Sequence, residues 1–67
     1  MQTSRDLFSV VPIQDGWLVK NARWPPVRFS TREAAETYAK SLASQHAPSR
    51  VEVLDSKGDV ESWSRYQ

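Results

Sequence analysis

Only one stretch of this chain has a helical period, and that limits its fold more than any other feature. Between Ser30 and His46, the positions Ala35, Tyr38, Ala39, Leu42 and His46 recur at steps of three and four, while Arg32, Glu33, Glu36, Lys40 and Ser44 fall largely on other faces. Pro48 closes the segment. On either side of it the chain reads as strands, at Leu7 to Ile13, Trp17 to Lys20, Val27 to Phe29, Arg50 to Asp55 and Val60 to Tyr66. A single helix covers one face of a sheet and leaves the other bare. The predicted fold is therefore α+β, a small antiparallel sheet with one helix packed on one face, in the order β-β-β-α-β-β.

Punctuation residues set the boundaries. Asp15-Gly16 marks a hairpin between the first two strands, with the glycine supplying a backbone freedom that a tight turn needs. Pro12 cannot donate to a ladder and pushes the first strand toward an edge or an end. Trp24-Pro25-Pro26 predicts a stiff extended loop, and Ser56-Lys57-Gly58-Asp59 a turn. Ser30-Thr31-Arg32-Glu33 has the spacing of a capping box, which predicts Ser30 as the helix N-cap. Residues 1–5 are polar and are expected to form a flexible tail, leaving 6–67 as one domain.

Alternation within the strands predicts two faces. Phe8, Val10, Trp17, Val19, Val27, Phe29, Val51, Val53 and Val60 are assigned to the helix side. Val11, Ile13, Leu18 and Leu54 join Lys20, Arg28, Glu52, Trp63 and Arg65 on the bare side. Such a face mixes apolar and charged residues without a lid, and contiguous apolar patches of this kind mark interaction surfaces.

Composition narrows the function. With 67 residues, a domain buries only about 60% of the surface of its unfolded chain. That leaves little room for an enclosed pocket, so no small-molecule substrate and no cofactor are expected. There is no cysteine, which removes disulfides, thiol nucleophiles and thiolate metal sites and suits a reducing compartment. No apolar run approaches the length of a membrane span, so no membrane partner is expected and a cytoplasmic location is. The formal net charge of +1 is too small to name a partner by itself.

Enzyme chemistry finds little purchase. His46, the single histidine, would have to join Ser44 or Ser49 and Asp55 in a triad, yet the chain has no nucleophile elbow. One histidine and scattered acids show no metal-ligand spacing, and Asp55 to Asp59 reads as a turn rather than a calcium loop. Glu52 and Glu61 are expected on solvated strand faces rather than across a cleft. Both glycines serve turns, so there is no phosphate-cradling loop. The expectation is a protein without catalytic, cofactor-binding or metal-binding residues.

Val10-Val11-Pro12, Asp15-Gly16-Trp17 with Val19-Lys20, Phe29-Ser30-Thr31 leading into Glu33-Ala34-Ala35, and Lys57-Gly58 form a recognisable progression. On these residues the chain, from about residue 8 to 60, resembles the small bacterial family of domain-of-unknown-function proteins numbered twenty-one eighty-eight. It departs from the family pattern at Arg23-Trp24-Pro25-Pro26, at the Ser56-Lys57-Gly58 turn and after Val60. The resemblance implies a small α+β domain and brings no activity or site with it.

The expected function is thus a non-enzymatic interaction module, working through the bare sheet face or an edge strand with a protein partner or a second copy of itself. The alternative is a nucleic-acid-binding domain that uses a basic and aromatic sheet face. The residues expected to carry either role are Leu18, Lys20, Arg23, Trp24, Arg28, Leu54, Trp63 and Arg65.

Overall fold

A computed structural model describes residues 6–67. The expected N-terminal tail, residues 1–5, lies outside the described residues. The elements run β1 (Asp6–Ile13), β2 (Gly16–Lys20), β3 (Val27–Phe29), α1 (Arg32–Gln45), β4 (Ser49–Leu54) and β5 (Val60–Tyr66). The α+β class and the element sequence agree with the reading from the sequence.

The sheet is mixed rather than antiparallel. Its spatial order is β3-β2-β1-β4-β5, and β1 and β4 run parallel, with Phe8 opposite Val51 and Val10 opposite Val53. The other three pairs are antiparallel. The cause is the helix: β1, β2 and β3 form a meander, and α1 then carries the chain back across the sheet to the free side of β1. A crossover through a helix delivers the next strand parallel, as a hairpin cannot.

Helix α1 starts one residue later than the capping box predicts. Thr31, not Ser30, is the N-cap: it is extended, and its hydroxyl accepts from the Ala34 N–H at 3.1 Å. A threonine is nearly as good a cap as serine, so the local sequence allowed both registers. The buried stripe is Ala35, Ala39 and Ala43, at four-residue steps, while Leu42 is half-buried and Tyr38 exposed. Alanine has no side chain to hold the helix off the sheet, so the larger residues are pushed to its flanks. At the far end, the buried Ser49 hydroxyl donates to the Ala43 carbonyl at 2.6 Å and pins the start of β4 to the end of the helix.

The core between helix and sheet consists of those alanines with Phe8, Val10, Val19, Val51 and Val53, flanked by Trp17, Phe29 and Tyr66. Two of the residues assigned to this side depart from it. Val27 faces the helix side but is at the three-residue edge strand and remains exposed. Val60 lies on the opposite face, because β5 carries a bulge: Val53 pairs with Ser62 but Leu54 pairs with Val60, so Glu61 is an extra residue. One extra residue reverses the face of everything beyond it.

The β1–β2 turn is made by Gln14 and Asp15, and Gly16 already pairs with Ile13 as the first residue of β2. The glycine is required there by close approach, since a Cβ would collide with the Phe29 carbonyl oxygen of β3. Gly58, at φ +87°, serves the β4–β5 turn as expected. In that turn the Asp55 carboxylate accepts from the backbone N–H groups of Lys57 and Asp59 at 2.9 and 3.0 Å.

Candidate functional site

With the helix on one side, the other side of the sheet is left open. Strand register arranges its residues in three rows. The first runs Arg28, Leu18, Val11 across β3, β2 and β1 and, one step beyond the Val10–Val53 pair, reaches Leu54 and Val60. The second is Lys20, Ser9, Glu52 and Trp63, each paired with the next. The third is Leu7, Arg50 and Arg65. An apolar strip therefore lies beside a mixed one, and a cationic one beyond that.

Arg50 and Arg65 stand directly opposite each other on adjacent strands. Like charges in that position oppose strand pairing. The arginines share one aromatic neighbour: the guanidinium carbons lie 4.7 and 5.8 Å from the centre of the Trp63 ring, which is 52% exposed. Glu52 offsets part of the charge through an ion pair to Arg50 at 3.3 Å. Among the described residues Lys20 and Arg65 have no ion-pair partner, and Arg28 reaches only Asp15, at 3.9 Å and well exposed. Near Lys20 the face dips into a depression of about 460 Å³ that Asp6, Leu7, Ser9, Asn21 and Arg23 also line. Arg23 itself pairs with Asp6 at 3.3 Å.

The acids lie elsewhere. The bulge turns Glu61 toward the helix, where it and Glu36 bind Arg32. The hydrogen bond to Glu36 raises the Arg32 pKa above its ordinary value, opposed by desolvation and aided by the charge of Glu61. Asp55 is occupied in its turn and Glu33 and Glu36 are in the first turns of the helix. Among the described residues Glu52 is thus the one acid within these three rows, beside four cations, with Asp6 and Asp15 at the margins paired to Arg23 and Arg28, although the chain as a whole is nearly neutral.

Of the residues expected to form the surface, Leu18, Lys20, Arg28, Leu54, Trp63 and Arg65 share the open face. Arg23 sits at its margin. Trp24 does not join them. Its ring stacks on Phe8 at 6.2 Å and tilts against His46 at 5.1 Å, both on the helix side. There, with Pro25, Pro26, Val27, Tyr38 and Leu42, it lines an apolar groove of about 470 Å³. Loop residues have no period, so the sequence held no sign of which side Trp24 would take. Arg50 was missed, although its position two residues before Glu52 in an alternating strand was sufficient to place it on the open face.

The residues weighed for catalysis are dispersed. Ser49 is buried with its hydroxyl committed to Ala43, Ser44 donates to the Ser41 carbonyl, and the His46 ring lies against Trp24. Glu52 and Glu61 fall on opposite sides of the sheet. Among the described residues no three His, Asp or Glu side chains gather as a metal site would need, and no helix is long and apolar enough to cross a membrane. No protein-family model, curated protein or solved structure matches the chain.

Proposed function

We propose that the chain is a non-enzymatic interaction module whose working surface is the open sheet face, and that this surface takes a separate, negatively charged partner. The observation that carries the reading is the Arg50–Arg65 pair, two directly opposed like charges whose mutual repulsion an anion would relieve. A second copy packed face to face would set four cations against four, with one glutamate on each side to balance them. Pairing through the outer strand β5 is opposed by its bulge, which interrupts the edge at Glu61. Membership of domain-of-unknown-function family twenty-one eighty-eight belongs to the same proposal. It is supported by Asp15-Gly16-Trp17 forming the β1–β2 hairpin and by Phe29-Ser30-Thr31 leading into the helix.

Retention on a sulfated polyanion resin, together with sedimentation equilibrium, tests this reading. The protein is expected to sediment as a monomer and to elute only with added salt. Arg65→Glu is expected to elute much earlier, whereas Lys40→Glu, which changes the net charge equally from the helix side, elutes close to the parent. Equal loss in both variants would mean that net charge and not this face drives retention. A dimer that Arg65→Glu strengthens would overturn the reading.

A further inference from the structure

We infer that the open face binds single-stranded nucleic acid, with Lys20, Arg50 and Arg65 on phosphates and Trp63 as a stacking platform for bases. The inference rests on the reading of this face as an anion-binding surface and names the partner. Three observations point to it over other polyanions. The first is planarity at the centre of the charge. Trp63 is half-exposed beneath two guanidinium groups, and indole and guanidinium planes both stack on nucleobases, whereas the carboxylates of an acidic peptide would pair with the guanidinium groups and leave the indole unused.

The second is the spacing of charge and apolar surface. Arg50 and Arg65 follow Leu7 in one row, and Leu18, Val11, Leu54 and Val60 follow Arg28 in another, with Lys20, Glu52 and Trp63 in the row between them. A single strand presents the same division, a charged backbone on one side and bases on the other. The cation row can follow phosphates while the bases lie over Trp63 toward Leu54 and Val60.

The third is width. Five strands about 4.8 Å apart make this face about 19 Å across, which exceeds the roughly 12 Å of a duplex major groove. A two-stranded ribbon fits within that groove and the full width of this sheet does not, which favours a partner whose bases are already unpaired.

Fluorescence anisotropy with a labelled oligothymidylate of about twelve nucleotides, near the size that small single-strand modules cover, tests the assignment. Binding is expected at about 50 mM salt, with the logarithm of affinity falling against the logarithm of salt at a slope of about −2 to −3, for three to four phosphates. Arg65→Gln is expected to reduce that slope by about 0.7. Trp63→Ala is expected to weaken binding by about 5- to 150-fold with little change in slope, and Trp63→Phe to restore most of it. A duplex of the same length is expected to bind more weakly, and a glutamate peptide of equal charge not to compete.

If the glutamate peptide competes equally, or Trp63→Ala changes nothing, the nucleic-acid assignment falls while the anion-binding reading stands. Failure to bind oligothymidylate by a protein that the polyanion resin still retains has the same meaning. A protein that neither binds oligothymidylate nor is retained by the resin ends both.

Discussion

On the helix side of the sheet, Phe8, Val10, Val51 and Val53 meet Ala35, Ala39 and Ala43, and every one of them is buried. One residue along the same strands, on the open side, stand Leu7, Ser9, Arg50, Glu52 and Leu54, none of them fully covered. The strands are shared, so the difference is entirely in what the alternate residues meet. The exposed large apolar residues divide between the two sides as well. Trp24, Val27 and Tyr38 border the groove beside the helix, while Leu7, Val60 and Trp63 belong to the open face. On the helix side they are the fringe of a packed core that a short helix cannot fully cover. On the open side they accompany Arg50, Arg65 and Lys20, of which only Arg50 has an ion-pair partner among the described residues.

The contrast breaks most easily through the core. Phe8 has no exposed surface and touches both the helix and the ring of Trp24, so Phe8→Ala is expected to cost about 3–5 kcal/mol. A domain this size has about 3–10 kcal/mol in total, so the variant is expected to lose about a third or more of its stability and, in a urea titration, to unfold at a much lower concentration than the parent. Trp63→Ala removes a larger ring from the open face and is expected to cost less than about 1 kcal/mol in the same titration, because the ring is only half-covered. Comparable losses in the two would mean that the open face is part of the core.

A smaller effect sharpens where the helix begins. Thr31→Ala is expected to lower stability by about 1 kcal/mol, because the Ala34 N–H loses its only side-chain partner, whereas Ser30→Ala should change little. A thermal melt of each variant distinguishes them. The pair also shows what the sequence could and could not convey. The Ser30-to-Glu33 spacing located a helix start to within one residue, but two adjacent hydroxyl residues can each cap, and only the path of β3 into the helix selects between them. The parallel β1–β4 pair was open to inference from a helix lying between β3 and β4, since such a crossover has the length to deliver a parallel strand. The reversal of Val60 was not. It follows from one extra backbone residue at Glu61, and a bulge leaves no mark in hydrophobic alternation. The same holds for Trp24, whose placement depends on how an aperiodic loop folds over Phe8.

The smallest effect is the most telling, because its sign is opposite to the rule for a folded protein. Most substitutions destabilise, yet Arg65→Gln is expected to raise stability by a few tenths of a kcal/mol, since it removes a cation set directly opposite Arg50. The gain should be largest at low ionic strength. At about 0.01 M the screening length is about 30 Å and the two guanidinium groups repel in full; at about 1 M it is about 3 Å and the repulsion is largely lost. The parent is therefore expected to gain stability as salt is added, and the variant to gain less, so that their melting temperatures converge. Stacking on Trp63 works the other way, because Arg65→Gln also gives up a cation over that ring. If the contact with Trp63 outweighs the repulsion, the variant will be less stable at every salt concentration, and the arginine pair will be a feature of the fold rather than a cost that a bound anion would relieve.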